Sequence, residues 1–112
     1  MSRKNVLPIY KIFDEVSLAT DQTSPTTNIE FLDNCCIQLV WTTSNAIGTF
    51  YIEVSMDGDH WSAIDITSPT IAGASDHCLL DLVFLAAPKI RVRYDATSGT
   101  GTLTGFISAK ML

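Results

Sequence analysis

A chain of 112 residues fits a single domain, and it is long enough to bury a modest core without disulfides or metal. Only 17% of its residues are charged, below the roughly 25% of an average soluble domain, which leaves surface for a partner to cover. Seven basic against twelve acidic residues give a net charge of -5, which repels a phosphate backbone and argues against nucleic acid as a partner.

The chain opens with Arg3 and Lys4 before an apolar stretch, but Pro8 and Lys11 interrupt that stretch and no small-residue cleavage site follows. The expectation is a protein without a signal peptide, made in a cytoplasm. No apolar run is long enough to cross a bilayer, so no membrane partner is expected. Val6 to Phe13 reads as a first strand, and Pro8 places it at a sheet edge. Glu15 to Thr20 reads as a short second strand, Asp21 to Thr27 as a polar loop and Asn28 to Leu32 as a further strand. From Cys35 to Thr42 the residues alternate, with Ile37, Leu39 and Trp41 on one face. Gly48 to Ser55 alternates again, setting Phe50, Ile52 and Val54 against Thr49, Tyr51 and Glu53. This is the pattern of half-buried antiparallel strands.

Met56-Asp57-Gly58-Asp59 reads as a hairpin turn, with Trp61 to Ile66 as the returning strand and Trp61 able to fold into the core. Ser68 to Asp76 is a loop, Cys78 to Leu85 a densely apolar segment that could be a buried strand or one short helical stretch, with length and context favouring the strand, and Ala86-Ala87-Pro88 a break. Lys89 to Asp95 alternates sharply, with Ile90, Val92 and Tyr94 opposed to Arg91, Arg93 and Asp95. Ser98-Gly99-Thr100-Gly101 reads as a hairpin loop before a last strand, Thr102 to Ala109. About eight or nine short strands at regular spacing specify an all-β, antiparallel sandwich of jelly-roll type filling residues 1–112.

No residue set amounts to a catalytic, cofactor or metal site. Asp57, Asp59 and Asp65 lack the spacing of a calcium loop and are explained by turn chemistry. His60, His77 and the three cysteines lack paired zinc spacing. Cys35 and Cys36 are neighbours that a strand points to opposite faces, and all three cysteines read as small structural thiols. Cys78 beside His77 fails as a nucleophile and base for the same reason. The glycines near residue 100 lack the lysine and the following helix of a phosphate loop. Lys89, Arg91 and Arg93 form either a solvated basic face or pairs with carboxylates on a neighbouring strand.

The segment Phe50 to Trp61 together with Ile90 to Tyr94 resembles discoidin-type and related jelly-roll modules, which implies a sandwich that binds sugars or lipid head groups through loops. Ile37 to Thr42, Ile47 to Phe50, Ser55 to Trp61, Ile90 to Tyr94, Ser98 to Leu103 and Ile107 to Lys110 resemble small bacteriophage proteins of the capsid and tail gene block. That resemblance implies a virion component without catalytic activity, whose partners are other copies of itself and other virion proteins. The segment 1–13 is then a candidate edge strand or arm, with Val6, Ile9 and Tyr10 as candidate subunit contacts. The alternative is a carbohydrate-binding module for host-surface recognition, in which exposed Tyr51 and Trp61, or Trp41, stack on sugar.

Overall fold

The alternating segments pair into two antiparallel sheets in the computed structural model, which describes residues 6–30, 32–42, 44–64, 69–83 and 86–111. Ten strands occur among these residues: β1 (Val6–Ser17), β2 (Gln22–Thr23), β3 (Thr27–Asn28), β4 (Asn34–Thr42), β5 (Ile47–Ser55), β6 (Ser62–Ala63), β7 (Thr70–Ala72), β8 (Asp76–Val83), β9 (Lys89–Ser98) and β10 (Thr102–Lys110). One sheet has the order β1-β10-β4-β8. In the other, β9 and β5 pair at the centre, β2 and β3 share the free edge of β9, and β6 and β7 share that of β5. Ten strands therefore occupy eight positions, and successive positions alternate between the sheets except β5 to β6, as in a jelly roll. Arg3, Lys4, Asp65, Ile66, Phe84 and Leu85 lie outside the described residues.

Inward positions from both sheets form one core. Ile37, Leu39 and Trp41 of β4 and Leu103 and Ile107 of β10 face Phe50 and Ile52 of β5 and Ile90, Val92 and Tyr94 of β9, all buried. The Phe50 ring lies 5.9 Å from that of Trp41 and 5.0 Å from that of Tyr94, tilted against both, a favoured aromatic arrangement. Gly48 makes this possible, because a Cβ there would stand 2.3 Å from the Tyr94 hydroxyl.

Several expectations change on folding, among them the expected Ser68–Asp76 loop, which holds β7. The expected strands Val6 to Phe13 and Glu15 to Thr20 are largely one, β1, with three register shifts against β10 and a positive φ of 52° at Glu15. The bulges break the period of two that sequence reading relies on. The Asp21–Thr27 loop holds two short pairings. Between them the buried Ser24 donates its backbone N–H to Val92 O and accepts from Val92 N–H through its hydroxyl, each at 2.9 Å. The strand expected from Asn28 stops there, because the Asn28 side chain accepts from Glu30 N–H and turns the chain. Gly99–Gly101 is not a hairpin: it carries the chain from β9 in one sheet to β10 in the other. Beside it runs the β4–β5 connection, and the two are stitched by Asn45 N–H to Thr100 O at 3.0 Å and Thr100 N–H to Asn45 Oδ1 at 2.8 Å.

Candidate interaction surface

The two outer faces of the sandwich differ in chemistry. Outward positions on β5 and β9 are Tyr51 and Glu53, set opposite Arg93 and Arg91 by the strand register. Glu53 is buried between the two arginines. Its Oε1 accepts from Arg91 Nε at 2.8 Å and its Oε2 from Arg93 Nε at 3.1 Å, and Arg93 also pairs with Asp95. The guanidinium of Arg91 lies 4.2 Å from the Trp61 ring centre, and that of Arg93 lies 4.5 Å from the Tyr51 ring centre. A continuous row, Trp61–Arg91–Glu53–Arg93–Tyr51, thus closes this face with its charges matched.

Trp61 is therefore not a core residue. It is half-buried on the outer face, and its Nε1 donates to Gly58 O at 3.1 Å. A sugar stacking on Tyr51 or Trp61 would have to use the ring face opposite the arginine or displace it. Trp41 is 5% exposed, with its Nε1 donating to Ala74 O at 2.8 Å, so its ring offers no platform. The loop carrying Trp61 spans residues 56–61, longer than a tight hairpin turn, with φ of +83° at Gly58. Asp57 organises it. Its Oδ1 accepts from the N–H groups of Asp59 and His60 at 2.8 and 2.9 Å and from the Ser55 hydroxyl, and its Oδ2 faces His60 Nδ1 at 2.7 Å. The backbone N–H groups of His60 and Asp59, and then the His60 ring, hold this carboxyl well below the usual carboxylate range.

The outer face of the β1-β10-β4-β8 sheet mixes exposed aliphatic side chains with polar ones. Register places five cross-strand rows on it: Val6, Lys110, Asn34 and Val83; then Ser108, Cys36 and Asp81; then Lys11, Phe106, Gln38 and Leu79; then Thr104, Val40 and His77; and last Ser17, Thr102 and Thr42. Ile9 stands in the bulge beside the second row. Val6 and Ile9 on one edge strand and Leu79 and Val83 on the other are 66%, 74%, 59% and 53% exposed, a high exposure for four large aliphatic residues on one face. Hollows of about 300 and 310 Å³ flank Ile9, the first reaching Val6, Asn34 and Asp81, the second Phe106, Gln38 and Leu79. Asn34 Oδ1 is buried there without a hydrogen-bond partner.

Of the three expected subunit contacts, Val6 and Ile9 belong to this face. Tyr10 pairs with the inward-facing Ile107, and its hydroxyl is bonded to Thr27 Oγ1 of β3, tying the two sheets together at their edge. Leu79 and Phe106, which complete the face, carry no sequence signal of their own. Only the register shows that they share a row with each other.

No family model matches the chain. No curated protein matches it in sequence either. Among solved structures it is similar to the SPBc2 prophage-derived protein YomS, with a TM-score of 0.64 and 7% identity over 96% of both chains. It is also similar to a chain in the structure of infectious bursal disease virus, Gx strain, with a TM-score of 0.51 and 13% identity over 97% of this chain and 32% of that one. At such identities the likeness is one of fold. It extends end to end for the prophage protein and covers about a third of the viral chain.

The thiols show how this scaffold treats reactive groups. Burial, with Cys36 and Asp81 adding to it, pushes Cys35 up to about 12, and burial also raises Cys36 and Cys78. All three are thus held as thiols at neutral pH, the unreactive form. Among the described residues, no group of three or more His, Cys, Asp and Glu side chains is placed to hold a metal ion, and no helix is long and apolar enough to cross a membrane.

Proposed function

We propose that this chain is a structural protein of a phage particle, without catalytic activity, which works by associating with copies of itself and docking onto a larger assembly. The observation that carries this reading is the set of exposed aliphatic side chains, Val6, Ile9, Leu79 and Val83, on the outer face of the four-stranded sheet. A jelly roll that lived alone would gain by cladding both faces with charge, as it has clad the β5-β9 face. The end-to-end likeness to a prophage-derived protein supports a phage setting, and the protonated thiols and the neutralised arginine row offer little to chemistry.

The test is molar mass in solution, by light scattering behind size exclusion, on the full chain. A defined oligomer is the expected result. A clean monomer at high concentration would remove self-association from the reading.

A further inference from the structure

We infer that a second copy of this chain packs sheet-on-sheet against the outer face of β1-β10-β4-β8, around a two-fold axis that runs along the strands over β4. This rests on the self-association proposed above and names the surface that performs it.

Two observations select a second copy as the occupant. The first is self-complementarity. The axis lays β8 of one copy over β10 of the other, and Leu79 and Phe106 occupy the same cross-strand row, both paired to Gln38. Each Leu79 then meets the other copy's Phe106, and the contact is made twice, as an isologous interface requires.

The second is charge. Lys110 on β10 and Asp81 on β8 have no ion-pair partner among the described residues and lie in adjacent rows. The same rotation lays each Lys110 over the Val83 of the other copy, one row from that copy's Asp81. A one-signed partner surface would satisfy one of these charges and repel the other. Strand addition at the edge of β1 is the poorer alternative, because Pro8 and the register shifts interrupt its free edge.

The experiment compares the full-length chain with Leu79→Lys and Met56→Lys. Leu79 and Met56 are both exposed, at 59% and 75%, so each variant should fold. Met56 lies on the loop after β5, away from the face. Circular dichroism verifies folding, light scattering reads mass, and N-ethylmaleimide labelling located by mass spectrometry reads access to Cys36, which lies on the face. The expected result is a dimer or a multiple of it for the parent and for Met56→Lys, and half that mass for Leu79→Lys, with Cys36 labelled at least tenfold faster in Leu79→Lys. An oligomer whose mass and Cys36 labelling ignore Leu79→Lys would overturn this interface and leave self-association standing. A parent that is monomeric at high concentration would overturn both.

Discussion

Asp57 is the residue on which the Trp61 loop depends, and its contribution has a definite pH sign. Its folded-state carboxyl titrates below the unfolded one, held down by the N–H groups of His60 and Asp59. Its stabilisation is therefore fully present above the ordinary carboxylate range, near pH ~4, and is lost as pH falls toward the folded value. Asp57→Asn keeps an acceptor oxygen but loses the charge. It should lower the thermal midpoint at pH 6 and differ less from the parent at pH 3, with thermal melts at both pH values as the check. A gap between the two proteins that stays constant with pH would remove the charge from the explanation. Asp57-Gly58 was readable as a turn from sequence because its chemistry is local. Glu53 was not readable as the centre of the arginine row. Its partners stand 38 and 40 residues away, and only the β5-β9 register brings them to it.

At the scale of an element, β1 shows where sequence reading loses its signal and why an arm is the wrong picture for this segment. The edge position follows from Pro8, which cannot donate to a ladder, and the structure places β1 at the edge. Its continuity to Ser17 was hidden, since bulges put the buried Ile12 and Phe13 side by side where alternation would separate them. These two side chains make β1 part of the core. Phe13 packs over Gly105, where a Cβ would come within 3.0 Å of its ring. Removing residues 1–13 would thus disturb the fold along with any assembly. Phe13→Ala should cost about 3–5 kcal/mol, the usual range for emptying a buried aromatic site, whereas Ile9→Lys, 74% exposed, should stay within about 0.5 kcal/mol for the isolated fold. Urea titrations of both variants at low protein concentration provide the measurement. A Phe13→Ala cost near that of Ile9→Lys would mean that β1 does not belong to the core.

For the whole molecule, the sandwich was legible because inward alternation in β4, β5, β9 and β10 is nearly unbroken. Which outer face stays bare was not legible, because alternation separates inside from outside without saying what covers the outside. Both faces carry aromatic residues. One has its rings capped by arginines, and the other leaves Val6, Ile9, Leu79 and Val83 to solvent. If copies associate through the bare face, part of the stability of each belongs to the pair, and mass action must appear in the melt. The thermal midpoint of the parent should rise with protein concentration, because dilution favours the separated and then unfolded chain. Leu79→Lys should melt at a midpoint independent of concentration, near the parent's value at high dilution. Scanning calorimetry across a hundredfold range of concentration separates the two behaviours. A concentration-independent midpoint in both proteins would mean that the face contributes nothing to stability through self-association. A slope common to both would move the coupling to another surface.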